Sequence, residues 1–512
     1  MNQRLLLPIR ILFMLTASTF VLYGCMVGPD YERPKMPDET KWAGLDPAIT
    51  NAATKSKPVD GAVVLTQWWT TFNDPLLTQL IERAATGNFD MAAAEARIRQ
   101  ARARRGIVFG GLVPNVDAFG SAAKNPDFSN SNGGMVGTGD LFTAGFDASW
   151  ELDIFGRVRR NLEATDAGID RAIADRRDVW VSLAAEVAST YAQVRAAQEQ
   201  LRTAHGNLDA QRDTQSLTRK LFDAGIVGAL DVANSTAQVE STTSRIPAFE
   251  SSVREGIYTL SVLLGQPPAT LLQELSTPAP IPTPPAQIPV GLPSELLQRR
   301  PDLRRAEADL HMATARVGAA VAEQYPRISL TGGVGTQTTS TTDLVGLATQ
   351  YWSVGAGATL PLFEGGRIQS NIALQKATTD EAVANYRKAV LIALKEVEVA
   401  LISFSQQQTR RAALNRTVDA NRDAVGFATE LYAAGRTDFL NVLAAQRSLL
   451  DSMESLAMSD RAVVDQSIAL YKALGGGWDT QLPTIDEEPV TEAPQSAPAS
   501  DAKKTESAAA TL

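Results

Sequence analysis

Across residues 142–150 the chain alternates: Phe142, Ala144, Phe146, Ala148 and Trp150 are apolar, while Thr143, Gly145, Asp147 and Ser149 are small or polar. A period of two predicts a strand with one apolar face. Trp352, Val354, Ala356, Ala358 and Leu360 repeat the pattern, as do Ile328, Leu330, Gly332 and Val334; residues 116–122 follow it less cleanly, because Phe119 interrupts. Each run is about nine residues, the length that carries a tilted strand across a bilayer. Elsewhere the period is helical. Val187, Tyr191, Val194, Gln198, Leu201, His205 and Leu208 follow three-four spacing, a coiled-coil seam, and Val397, Leu401 and Phe404 repeat it 210 positions on. Residues 157–222 hold no proline and only two glycines, Gly168 and Gly206. As one helix that span extends roughly 100 Å at about 1.5 Å per residue.

The seam is part of a longer self-similarity. Leu221, Phe222, Asp223, Ala224 and Gly225, then Leu230, Asp231 and Val232, read against Leu431, Tyr432, Ala433, Ala434 and Gly435, then Leu440, Asn441 and Val442, all 210 positions apart. Upstream the offset is 212: Asp90, Ala94, Glu95 and Pro114 match Asp302, Ala306, Glu307 and Pro326. Loops of unequal length explain the drift. An internal duplication follows, each half being a helix, two strands around a polar loop, a very long helix, a Gly turn and a returning helix. The organisation expected is a signal peptide at 1–24, an N-terminal segment at 25–75, a first repeat at 76–275, a linker at 276–293, a second repeat at 294–476 and a tail at 477–512. Seven prolines in 277–293 rule out a helix or central strand there. The Ala, Ser, Thr, Pro and Glu bias of 487–512 fits a disordered tail.

Composition narrows the classes. Aromatic residues are 6% against 44% hydrophobic, so Ala, Leu and Val carry the apolar content, as in long closely packed helices. With 48 Lys plus Arg against 57 Asp plus Glu, nothing suggests nucleic acid. Arg4 and Arg10 precede an apolar stretch at 11–22 that is too short to span a bilayer, the layout of a secretory signal. Cys25, the only cysteine, follows at once and resembles a lipobox cysteine, acylated after cleavage to anchor the chain in lipid. Candidate chemistry is sparse. The two histidines, His205 and His311, have no second ligand in view, and no phosphate-binding loop is present. Glu396 and Glu398 read as solvated or lumen-facing charge. The reading is a chain that is not an enzyme and needs no cofactor or metal.

An apolar strand face opposite a small, polar one is what a lipid-facing barrel with a watery lumen requires. Phe142, Phe146, Trp150, Trp352, Val354 and Leu360 are its candidate lipid-facing residues, and loops 124–140 and 337–350, rich in Ser, Thr, Gly and Asn, are expected to face outside. Four strands cannot close in lipid, so the barrel must be shared between chains. The expected fold class is mostly α with a membrane β part.

Five stretches carry a resemblance to a known family: residues 25–31 (Cys-Met-Val-Gly-Pro-Asp-Tyr), 72–76 (Phe-Asn-Asp-Pro-Leu), 150–157 (Trp-Glu-Leu-Asp-Ile-Phe-Gly-Arg), 300–303 (Arg-Pro-Asp-Leu) and 360–367 (Leu-Pro-Leu-Phe-Glu-Gly-Gly-Arg). Together they resemble the TolC-like outer-membrane efflux lipoproteins. The resemblance implies a homotrimer with a shared twelve-stranded barrel above a helical tunnel that meets a periplasmic adaptor and an inner-membrane RND-type pump. The turns at Gly225 and Gly435 would then be periplasmic tips, with Val227 and Thr437 at the adaptor contact. It also places the pore constriction after the second tip. There Ala444 stands where relatives carry an Asp, leaving Leu440, Asn441 and Arg447 as candidates to close the pore, Arg447 paired across protomers with a carboxylate such as Asp438 or Asp231. Two other readings use the same helices: a structural or adhesive surface lipoprotein, and the exit duct of a protein secretion system.

Overall fold

A computed structural model describes residues 26–34, 42–43, 57–59, 66–125, 128–129, 135–136, 139–291, 293, 299–338 and 350–478. Signal segment 1–24, Cys25, most of loops 124–140 and 337–350, and tail 487–512 lie outside the described residues.

The order is β1 (Lys57–Val59), α1 (Pro75–Gly87), α2 (Phe89–Gly110), β2 (Asn115–Asn125), β3 (Gly139–Leu152), α3 (Arg157–Asp223), α4 (Ala229–Leu263), β4 (Gln287–Pro289), α5 (Pro301–Ala322), β5 (Arg327–Thr338), β6 (Gln350–Thr359), α6 (Arg367–Ala433) and α7 (Phe439–Ala473). Helices α3 and α6 are each 67 residues, α4 and α7 each 35, and α2 and α5 each 22. A 67-residue helix is about 100 Å long.

Helix α3 is the axis of the chain, with α2, α4, α5 and α7 packed on it, while α6 packs on α5 and α7. The main core gathers where these cross: Trp68, Trp69, Trp180, Tyr191, Leu260, Val397, Phe404 and Tyr471 are all buried in one cluster. Trp68 stacks on Tyr471 and meets Trp69 edge-on, and Trp69 meets Trp180 edge-on. Alanine supplies 11 of the 27 buried α3 positions and lets neighbouring axes approach closely, as the composition implies.

Strands β2, β3, β5 and β6 form one antiparallel sheet in that order, so β2 and β6 are its two edges. The pairing repeats with the sequence: Asn115 opposite Ser149 in the first hairpin becomes Arg327 opposite Thr359 in the second, a step of 212 on one strand and 210 on the other. β1 and β4 pair in parallel, and Trp42 donates to the Gly291 carbonyl at 2.8 Å, holding the end of the linker.

Three expectations need correction. The first half's opening helix is broken at Asn88, whose Oδ1 accepts from the amides of Asp90 and Met91 while its Nδ2 donates to the Leu263 carbonyl. His205 is exposed, and the smaller Ala204 is buried on the seam in its place. Leu360 lies one residue past β6.

Candidate channel site: sheet, joints and helical tips

The sheet register sorts every strand residue to a face, because paired residues share a side. Ala118, Phe146, Val334 and Trp352 form one row across the four strands. Trp150 is opposite Leu330, Val354 opposite Gly332 and Phe142 opposite Ala122, all on that face. Trp352 and Val354 are 79% and 80% exposed, and Phe146 and Val334 are exposed beside them. Trp150 is half-buried, its indole donating to the Leu112 carbonyl at 2.9 Å, so it also pins the sheet to the end of α2.

The opposite face is made of Asp117, Ser121, Thr143, Asp147, Ser149, Ser329, Thr331 and Ser353, interleaved with glycine. Phe119 belongs to this face. Its ring lies over Gly145, where an added Cβ would come within 3.0 Å of the Phe119 ring, and Tyr351 covers Gly335 in the same row. The break in alternation is thus an aromatic ring packed on a glycine, which shields backbone that a glycine leaves bare.

The stretches that carry the family resemblance turn out to be joints. Asn73 adopts the left-handed conformation, Asp74 caps α1 through the amides of Leu76 and Leu77, and the other Asp74 oxygen accepts from Tyr191 at 2.7 Å. Burial and that hydrogen bond push the Tyr191 hydroxyl up to about 12. Asp153 caps α3 through the amides of Val158 and Arg159, and Glu151 takes two bonds from Arg157. Arg300 is buried, paired with Asp302 and Glu396 at 2.7 Å each, and donates to the Ala473 carbonyl. Glu396 is thus both a partner of Arg300 and solvent-exposed, and Glu398 accepts from the Ala43 amide.

The segment after Cys25 straps the two halves together. Val27 donates to the Phe155 carbonyl, Arg160 donates to the Val27 and Gly28 carbonyls and to Asp30, and an added Cβ at Gly28 would sit 2.4 Å from the Gly318 Cα. Tyr31 stacks on His311, whose Nε2 lies 3.1 Å from Glu163. His311 thus serves this strap. No group of His, Cys, Asp and Glu suited to a metal occurs among the described residues.

At the far end, the two Gly turns are the same device. Gly225 and Gly435 have φ of 74° and 65°; the amides of Ile226 and Arg436 reach back to the Leu221 and Leu431 carbonyls, and those of Gly225 and Gly435 to Phe222 and Tyr432. This is the Schellman closure, which requires a left-handed residue at that position. Val227 is half-buried against Tyr432, Phe439, Val442 and Leu443, so it joins the two tips to one another. Thr437 accepts from Asn441 at 2.7 Å. The apolar residues that face outward at the tips are Ile226, Leu230 and Leu440, and the first two were not singled out from the sequence. Their only signal there was apolar character next to a turn.

Beyond the tips, Tyr432 bonds Thr218, Gln446 donates to Thr214 and Arg447 donates to Gln238 at 2.8 Å. All three tie the second hairpin to the first. Arg447 therefore has a neutral partner, Gln238, within its own chain. Asn441 and Leu440 are exposed, as is Ala444.

The Outer membrane efflux protein family model matches residues 80–266 and again 292–476. The chain belongs to that family. Nodulation protein T of Rhizobium leguminosarum bv. trifolii is 30% identical over 464 residues, covering 90% of this chain and 96% of that one. The probable efflux pump outer membrane protein TtgC of Pseudomonas putida is 31% identical over 487 residues, covering 94% and 99%. The solved outer-membrane channel OprN superposes with a TM-score of 0.80 at 36% identity, over 89% of this chain and all of that one. The efflux-family chain is thus matched along nearly its whole length, sheet and long helices included. Among its described residues no helix is long and apolar enough to cross a membrane.

Proposed function

We propose that this chain is the outer-membrane channel of a tripartite efflux pump, a passive exit duct for small solutes that works with a periplasmic adaptor and an RND-type inner-membrane pump and performs no chemistry on its cargo. One observation carries the reading: a four-stranded sheet, apolar on one face and small or polar on the other, is open at both edges and stands on helices about 100 Å long. Open edges are excluded from hydrocarbon, so three copies closing a twelve-stranded barrel satisfy every strand. The duplicated order of elements, at offsets of 210 and 212, supports a barrel of six alike hairpins.

Within this reading Cys25 carries the lipid anchor, the Gly225 and Gly435 turns meet the adaptor through Ile226 and Leu230, and Leu440 together with the ties from Tyr432, Gln446 and Arg447 holds the periplasmic end narrow. Because those ties are neutral or single-charged, closure rests on packing and hydrogen bonds more than on a ring of carboxylates. Purified protein added to a planar lipid bilayer tests the function: discrete conductance steps are expected, and a structural or adhesive lipoprotein would pass no current. Cys25→Ala should lose acylation yet retain oligomer in the membrane fraction, since barrel closure holds the chain in lipid independently.

A further inference from the structure

A groove of about 630 Å³ runs along α3 between α2 and α5, and its upper end is formed by Gly111 and Arg157, where the helices join the sheet. Four arginines line it, Arg104, Arg157, Arg171 and Arg316, and Asp309 is the one carboxylate among its described lining residues. Resting on the channel reading above, we propose that this groove is a station for organic anions inside the duct. A sulfonate, carboxylate or phosphate is held there between Arg104 and Arg316, with its apolar body laid on the aliphatic lining beside them.

Arg157 fixes which side of the wall the groove faces. Its guanidinium donates to both oxygens of Glu151, and Glu151 pairs with Ser329 on the small, polar face of the sheet. The groove is therefore continuous with that face, the one turned to the lumen when the barrel closes. The strap after Cys25 occupies the other side of the same helices. There Arg160 donates to the Val27 and Gly28 carbonyls and His311 stacks on Tyr31, and neither Arg160 nor His311 lines the groove.

Two of the four arginines already have partners. Arg157 is bound to Glu151, and Arg171 Nε meets Asp309 Oδ1 at 2.6 Å. Arg104 and Arg316 are exposed, and among the described residues neither has a carboxylate within ion-pair distance; Arg316 reaches only the Met312 sulfur, at 3.5 Å. They are repeat equivalents, separated by the 212 positions that relate α2 to α5. The duplication thus sets one uncompensated guanidinium on each wall of a shared groove. Like charges lining one space repel, and an anion between them relieves the repulsion while taking up their free N–H donors. Ile107, Val108, Ala164 and Met312 make the neighbouring lining apolar, which suits a ligand with an aromatic or alkyl body. The sheet above has the opposite sign on its polar face, where Asp117 pairs with Asp147, so the anion preference is confined to this level.

The probe is 1-naphthalenesulfonate, with 1-naphthalenemethanol as its neutral analogue. In equilibrium dialysis against the detergent-solubilised full chain, the sulfonate should bind more tightly than the alcohol. Arg104→Gln combined with Arg316→Gln should weaken sulfonate binding about tenfold, as loss of hydrogen bonds to a charged group does. Added salt should weaken it in the parent, because the two guanidinium groups are open to solvent. Arg102→Gln, which removes a charge of α2 outside the groove, should leave binding unchanged. In a planar bilayer the sulfonate should reduce current through the parent channel and spare the double variant. Equal binding of sulfonate and alcohol, or sulfonate binding unchanged in the double variant, would overturn the anion station, and conductance in that protein would leave the channel reading standing. Protein that shows the predicted binding but passes no current would keep the anion site and remove the channel.

Discussion

Helices α3 and α6 are the same length, start after a left-handed glycine, Gly156 or Gly366, and end in the same glycine turn, yet only α3 lies inside its own chain. Val181 of α3 is 3% exposed and Leu391, 210 positions later on α6, is 61% exposed. Two helices built to one pattern therefore differ in where their cover comes from. For α3 it is α2, α4, α5 and α7 of the same molecule. Leu374, Leu391 and Ile402 leave an apolar stripe of α6 exposed in the single chain, and a stripe of that kind marks an interaction surface.

The sharpest way to break this comparison is to place one charge at both positions. Val181→Asp should destabilise the folded chain by several kcal/mol, because an unpaired carboxylate would be buried in the core. Leu391→Asp should leave a single chain within about 0.5 kcal/mol of the parent, as exposed substitutions do, while reducing the oligomer. Thermal unfolding followed by circular dichroism, alongside size-exclusion of the detergent-solubilised protein, separates the two effects. Equal unfolding shifts would show that α6 is buried like α3.

A smaller difference comes from Tyr191, whose α6 equivalent is Leu401, a residue with nothing to titrate. The Tyr191 hydroxyl is held neutral by burial and by its bond to Asp74, with its pKa raised from 10.0 to about 12. A raised folded-state pKa means the stabilisation is complete below pH 10.0 and is lost as pH climbs through about 12. Tyr191→Phe should cost about 1.5 to 3 kcal/mol at neutral pH, since it removes a hydrogen bond to a carboxylate. It should also flatten the alkaline arm of the stability profile. An alkaline arm unchanged by Tyr191→Phe would assign it to another group.

At the tips the two halves are alike, and there the comparison should vanish. Gly225→Ala and Gly435→Ala each place a Cβ in open space, so the penalty is conformational alone, about 1 kcal/mol in both. Unequal shifts in urea titrations would reveal a partner at one tip. Least affected in stability should be Arg447→Ala, which removes one half-exposed bond to Gln238 and is expected within about 0.5 kcal/mol. Its readout is conductance: a leakier closed state than the parent, with Leu440→Ala as comparator, places the constriction at this level, and two variants as closed as the parent would put it elsewhere.

Strand positions, the long helices and the turns were legible because each depends on local periodicity. Period-two alternation identified Phe142, Phe146, Trp352 and Val354 on one face, and that face is the one the register assembles. The break at Asn88, the exposure of His205, the placement of Phe119 over Gly145 and the partner of Arg447 were not legible. Each turns on which residue lies opposite, a matter of three-dimensional neighbours rather than spacing. The solvated reading of Glu396 holds, since its side chain stays 45% exposed, but its pairing with the buried Arg300 guanidinium was not legible.

The sequence by itself determined the period of each segment, the glycine turns that reverse the helices and the two-fold order of parts, because backbone preference and apolar spacing act within a few residues. Only the tertiary structure decided that α3 is interior and α6 peripheral, that the family-like stretches are joints, and that both edges of the sheet are open. Those outcomes depend on which of two nearly equivalent faces is covered first, and two halves with the same local pattern cannot both occupy the centre of one chain.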